Sequence, residues 1–165
     1  MIDSKAWNWE IIEKDNEYWN STAPEVYYLG EVWKKKGFKS ILDAGCGLGR
    51  NCIYLAKQGF ELSGFDLSSY SVNQTLEKAK EQNVKLGKFG VADMLKMPFE
   101  DNSFDALLAF NVISHTDKEG FDKILTEIRR VLKPGGEAYF TLGSKESYWF
   151  NNPNCPSVDE YTRIR

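Results

Sequence analysis

The chain has 165 residues, a formal charge of −3 and a pI near 5.3. That length fits one domain burying roughly 70% of its unfolded surface, and the mild acidity argues against wholesale binding to nucleic acid or an acidic membrane. No apolar run reaches the roughly 18 residues of a membrane span, and residues 1–5 lack a basic-then-apolar leader, so a cytoplasmic protein is expected. Cys46, Cys52 and Cys155 match no CxxC or zinc spacing, so reduced thiols and no metal site are expected.

Residues 1–20 are polar yet carry Trp7, Trp9, Tyr18 and Trp19. The indoles are too many for a disordered tail and too irregularly spaced for a helix. Over 22–36, Thr22 as a cap, Pro24 in the first turn, and Val26, Leu29, Val32 and Trp33 near one face predict a helix. Lys34, Lys35 and Lys36 suit the negative end of its dipole, and Gly37 closes it. Residues 1–37 are expected to form an aromatic and helical segment over the domain.

Strand and helix patterns then alternate. Strands are predicted at 40–44, 61–65, 86–91, 105–110 and 137–142. Helices are predicted at 50–58, at 69–82 with Val72, Leu76 and Ala79 on one face, and at 117–132. Thr116 and Glu119 are spaced like a capping box for the last helix, whose apolar face carries Phe121, Ile124, Leu125, Ile128 and Leu132. Met97-Pro98-Phe99 breaks the connection over 92–103, and Pro134-Gly135-Gly136 forms a turn. Such alternation predicts an α/β, doubly wound, mostly parallel five-stranded sheet with helices on both faces. Right-handed crossovers put every loop after a strand on one edge, where ligands bind.

The residues at that edge are polar or glycine. Asp43 and the alternating Gly45, Gly47 and Gly49 follow the first strand, Asp66 the second, Asp93 the third and Asn111 the fourth. Glycine allows positive φ and close approach of a ligand to the backbone, and the helix starting at Arg50 offers free N–H groups to the same loop. An acid at Asp66 can accept from both hydroxyls of an unphosphorylated ribose. Asp93 can accept from an adenine amine, with Leu67 and Met94 packing on the ring, although Met94 suits core packing equally well. A pyrophosphate cradle wants G-x-G-x-x-G, and here Arg50 stands where the third glycine would be. Asp43 would repel a pyrophosphate and suits an ammonium. Ribose, adenine and an ammonium without phosphate describe S-adenosylmethionine.

Together these features resemble a class I S-adenosylmethionine-dependent methyltransferase, a family with a Rossmann-like fold. Asp43-Ala44-Gly45-Cys46-Gly47-Leu48-Gly49 matches its D/E-x-G-x-G-x-G loop, and Asp66 matches its acid after strand two. Ala92-Asp93-Met94, Phe104-Asp105-Ala106-Leu107 and Leu132-Lys133-Pro134-Gly135-Gly136 match three further segments, so the resemblance covers residues 38–143. It implies that Asp43 and the loop of Gly45, Cys46, Gly47 and Gly49 face the methionine part, Asp66 the ribose, and Asp93 with Met94 the adenine. It places Asn111 near the reactive methyl.

His115, the one histidine, follows strand four closely enough to be a candidate general base, or it caps a helix or faces water. The segment Asn111-Val112-Ile113-Ser114 lacks the Asn/Asp-Pro-Pro-Tyr pattern of base-amine methylation, so a small-molecule acceptor and no nucleic-acid partner are expected. Tyr18, Trp19, Tyr27 and Tyr28 either form a lid over the acceptor or pack on the sheet edge. The alternatives are a domain that binds S-adenosylmethionine or its demethylated product without turnover, and a nicotinamide-dependent oxidoreductase, which Asp43 and the glycine spacing disfavour. The family's sixth and seventh strands have no room in residues 144–165. Either the sequence is part of a longer chain, or strand five is an edge, or a partner completes the sheet. Tyr148, Trp149 and Phe150 beside that edge make self-association an expectation.

Overall fold

A computed structural model describes residues 4–11, 17–160 and 162. Positions 1–3 and 12–16 of the N-terminal segment, and 161 and 163–165 of the C-terminal one, lie outside the described residues. A 3-10 turn (Trp9–Ile11) and the short helices α1 (Glu17–Asn20) and α2 (Pro24–Lys35) lead into the core. There follow β1 (Ser40–Ala44), α3 (Arg50–Lys57), β2 (Glu61–Asp66), α4 (Ser69–Glu81), β3 (Phe89–Val91), β4 (Phe104–Ala109), α5 (Lys118–Val131), β5 (Leu132–Phe140) and α6 (Tyr148–Asn151).

The five strands pair in parallel in the order β3-β2-β1-β4-β5. The order reverses between β1 and β4, the topological switch point at which open α/β sheets bind ligands. Strand side chains alternate between two cores. Leu42, Phe65, Leu107 and Ala109 pack with Ile124 and Ile128 of α5, while Ile41, Leu62 and Leu108 pack with Val26 and Trp33 of α2 and Leu55 of α3. The unbroken apolar run in β4 reflects this burial on both faces. At the end of α2, Gly37 takes φ +75°, and Gly37 N–H and Phe38 N–H donate to Lys34 O and Trp33 O.

Five local expectations need correction. Thr22 does not cap α2. Ala23 is its N-cap, Ala23 N–H donates to the Asn51 carboxamide at 3.0 Å, and Thr22 Oγ1 donates to Arg50 O at 3.0 Å. A tertiary contact thus replaces the local cap. The capping box of α5 does not form either, since Asp117 accepts from Gly120 N–H at 2.9 Å and Thr116 Oγ1 is buried without a partner. Leu76 is 40% exposed, and the buried face of α4 is Ser71, Val72, Thr75 and Ala79. The third strand starts at Phe89 rather than residue 86, because Lys88 N–H donates to the Ser63 hydroxyl instead of to the ladder. The fifth strand starts at Leu132, pairs with Phe104, and absorbs Pro134-Gly135 in a register shift before ending at Phe140.

Candidate functional site

The loops after β1, β2, β3 and β4 converge on one cavity of about 110 Å³. Its glycine loop is fixed by backbone hydrogen bonds. Gly45 N–H and Cys46 N–H donate to Phe65 O at 2.8 and 3.0 Å, tying the loop to β2. Gly47 N–H donates to Asp66 Oδ2 at 2.9 Å, and Ser68 N–H donates to Asp66 Oδ1 at 2.9 Å. The Asp66 carboxylate is therefore locked in orientation at the end of β2, while each oxygen keeps lone-pair capacity for a ligand. Thr75 Oγ1 donates to Gly47 O at 3.0 Å and holds the loop from the α4 side.

The three glycines serve different ends, and all have positive φ. A Cβ on Gly45 would lie 2.5 Å from Val112 Cγ2, and one on Gly49 would lie 2.8 Å from Thr75 Oγ1. Those two glycines let the β4 loop and α4 approach. A Cβ on Gly47 would lie 3.0 Å from the Trp9 ring, so an indole rests on the centre of the loop.

Of the predicted residues, Gly45, Cys46, Gly47, Asp66, Leu67, Asp93, Met94, Asn111 and His115 all line the cavity. Asp43 and Gly49 do not. Asp43 is 1% exposed behind the loop, and its Oδ2 has no hydrogen-bond partner. Burial first, and the Asp66 charge second, push its carboxyl up to about 7 against the opposing pull of Arg50. Asp93 Oδ1 accepts from Leu95 N–H at 2.8 Å. Met94 belongs to both readings, being 7% exposed in a core cluster and also part of the cavity wall. Asn111 takes φ +57°, donates its N–H to Thr141 Oγ1 at 2.7 Å and its Nδ2 to the Tyr18 hydroxyl at 3.1 Å. Burial, then Asp43, pushes the Cys46 and Cys52 thiols well above their usual range, which leaves them poor nucleophiles. Among the described residues no cluster of His, Cys, Asp or Glu could hold a metal, and no helix is long and apolar enough to cross a membrane.

The opposite wall is aromatic. Trp7, Trp9 and Trp19 meet one another at centroid distances of 5.4–5.6 Å, and the His115 ring meets Trp7 at 5.6 Å. Arg50 holds this wall. Its guanidinium lies 4.8 Å from the Tyr18 ring, 5.3 Å from Trp19 and 5.4 Å from Phe110, and Nη1 donates to Tyr18 O and Ser21 O. Lys78 Nζ, lowered in pKa by burial, donates to Asn20 Oδ1 at 2.9 Å and Leu48 O at 3.2 Å, joining the same two regions. Tyr27 meets Tyr54 edge to face and Tyr28 is 71% exposed, and neither lines the cavity. The anchoring role of Arg50 had one faint signal, an arginine in place of a glycine. The roles of Asn51 and Lys78 had none.

Comparison with known proteins fits this geometry. A sterol 24-C-methyltransferase of Gibberella zeae is 38% identical over 68% of the chain and 29% of its own length. Norajmaline N-methyltransferase of Rauvolfia serpentina is 40% identical over 59% of the chain and 33% of its own length. The chain therefore spans about a third of the length of these curated relatives. Among solved structures, an S-adenosylmethionine-dependent methyltransferase of Methanosarcina mazei superposes with a TM-score of 0.57 at 32% identity, over 61% of this chain and 50% of that one. The PH0226 protein of Pyrococcus horikoshii superposes with a TM-score of 0.62 at 32% identity, over 71% and 52%. The family model described as a methyltransferase domain matches residues 41–136, well over half of the sequence, and the chain belongs to that family.

Proposed function

We propose that this domain binds S-adenosylmethionine and takes part in transferring its methyl group to a small-molecule acceptor. The observation that carries the reading is Asp66, oriented by Gly47 N–H and Ser68 N–H at the end of β2, where it can accept from the two ribose hydroxyls. The rest of the site fits the same cofactor. Asp93 with Leu67 and Met94 would receive the adenine, and the glycine loop with Asn111 would receive the methionine part. The unpartnered, buried Asp43 Oδ2 fits a positively charged group brought near the loop, which would draw the carboxyl back from about 7 toward its charged form.

When bound, the cofactor supplies a methyl made electrophilic by its sulfonium. The chain's own part is to orient and enclose. The fixed loop and Asn111 hold one reactant while the aromatic wall over Gly47 holds the other and excludes water, which is the role of a lid for the stretch that carries Trp7, Trp9 and Trp19, while α2 belongs to the core. Alignment of this kind contributes several kcal/mol. His115, beside the wall, can accept the proton of a hydroxyl acceptor. The relatives named for sterol and norajmaline methylation support a small organic acceptor over a nucleic acid. A cytoplasmic setting suits three buried, free thiols. Self-association through the β5 edge belongs to the same reading and is checked by light scattering across a concentration series.

The test is transfer of labelled methyl from S-adenosylmethionine to a panel of small acceptors. Labelled product supports the enzyme. Binding of donor without transfer to any acceptor supports a binding domain instead, and binding of NAD alone overturns both.

A further inference from the structure

The cavity has two dissimilar halves, and the proposed cofactor accounts for only one. Its acidic, amide and glycine groups lie on the loops after β1 to β4, and the N-terminal stretch adds Ser4 and Lys5 at the rim. The other half is Trp7, Trp9, Trp19, Phe110 and Val112, with His115 and the buried Thr116 hydroxyl as its polar groups. Arg50 lines the cavity beside this half, and its guanidinium is held by three rings, those of Tyr18, Trp19 and Phe110, and, through Nη1, by two main-chain carbonyls. Lys5 also lines the cavity but is exposed, where a charge is well screened. The acids Asp66 and Asp93 stand on the cofactor half and accept from backbone N–H groups.

This arrangement is selective by charge. An anion would have to draw Arg50 away from the three rings and two carbonyls that hold it. A cation would meet Arg50 itself, and would find the negative ring faces of Tyr18, Trp19 and Phe110 already facing a cation. An uncharged apolar molecule loses water on the indoles and meets no such opposition.

Resting on the cofactor reading above, we infer that the methyl acceptor is an uncharged, largely apolar molecule. It docks on the indole wall of Trp7, Trp9 and Trp19, and Arg50 is a positioning residue for that wall rather than an anion receptor. Arg50 also ties the wall to the cofactor loop, because Thr22 Oγ1 donates to its carbonyl and Ala23 N–H donates to the neighbouring Asn51 side chain. The segment that receives the acceptor and the loop that faces the cofactor therefore share one anchor.

The experiment uses three probes of one shape with the full chain, saturated with S-adenosylhomocysteine, by calorimetry. These are 2-naphthol, 2-naphthoate and trimethyl-(2-naphthyl)ammonium. The expected order has 2-naphthol binding about tenfold more tightly than either charged probe. Trp7→Ala should weaken 2-naphthol about two- to tenfold while leaving S-adenosylhomocysteine affinity unchanged. Arg50→Lys keeps the charge but loses the fork and the stacking plane, so it should weaken 2-naphthol like Arg50→Ala does and confer no binding of 2-naphthoate. Tighter binding of 2-naphthoate, kept in Arg50→Lys and lost in Arg50→Ala, would overturn the inference. So would preference for the ammonium probe, or no binding of 2-naphthol to a chain that does bind S-adenosylhomocysteine. Failure of S-adenosylhomocysteine itself to bind counts against the cofactor reading, and the inference falls with it. Trp7 is exposed enough for its alanine variant to fold, so the test does not depend on the Arg50 variants.

Discussion

On one side of the cavity, a carboxylate is fixed by two backbone N–H groups at 2.9 Å, and a threonine hydroxyl braces the loop between them. On the other side, three indoles meet in tilted and edge-to-face contacts at 5.4–5.6 Å, and one of them, Trp19, lies against the Arg50 guanidinium. The first half is made of short, directional bonds joining the loops after β1 and β2 and helix α4. The second is made of modest aromatic contacts, each worth about 0.5–1.5 kcal/mol beyond area burial. A site that must recognise one invariant ligand gains from the first kind of construction, because small displacements break hydrogen bonds. A wall that must close over another molecule gains from the second, because rings can slide with little penalty.

Breaking the rigid half should have the largest effects. Gly49→Ala places a Cβ 2.8 Å from Thr75 Oγ1 at a φ of +81°, so we expect a loss of about 2–4 kcal/mol in chemical denaturation. A loss below about 0.5 kcal/mol would show that α4 yields easily and that the loop is not rigid. Asp66→Ala should cost S-adenosylhomocysteine about 1.5–3 kcal/mol of affinity by calorimetry, together with a lower melting temperature, because Gly47 N–H and Ser68 N–H lose their acceptor. Equal affinity in the variant removes the ribose assignment.

Asp43 sharpens the contrast through pH. Its folded carboxyl sits at about 7 against 3.8 ordinarily, so the folded chain holds the proton more tightly than the unfolded one. Its contribution to stability is complete below pH 3.8 and declines as pH rises through about 7. Asp43→Asn should flatten that part of the stability–pH profile and raise stability at pH 8 by on the order of 1–3 kcal/mol. An unchanged profile means that the carboxyl titrates normally. The smallest effect is expected in the aromatic half. Trp9→Ala should cost about 0.5–1.5 kcal/mol of stability, and a loss above about 3 kcal/mol would make the wall part of the core instead.

The same contrast explains what could be read from the sequence. Alternating apolar runs and glycine punctuation located the sheet, and β1 was legible residue for residue because burial on both faces demands Ile41 and Leu42 in opposite cores. The polar half of the cavity was legible because its chemistry sits at fixed places, one residue type at the end of each strand. Asp43 was legible as an acid but not as one standing behind the loop, since burial there depends on how α3 and β2 close around it. The aromatic half was legible only as an excess of tryptophan. Trp9 reaches Gly47, and Tyr18 reaches Arg50 and Asn111, across sequence separations that carry no periodicity. Thr22 and Thr116 misled for a related reason, because each has a cap's spacing while a tertiary partner or the next residue does the capping.

The central claim is that the hydrogen-bonded half of the cavity is built for a phosphate-free nucleoside carrying an amino acid. Its most direct test is calorimetry of the full chain with S-adenosylhomocysteine and, separately, NAD. One-to-one binding of S-adenosylhomocysteine, at least about tenfold weaker in Asp66→Ala and with no comparable binding of NAD, is the predicted result. Binding of NAD in preference to S-adenosylhomocysteine would contradict the account.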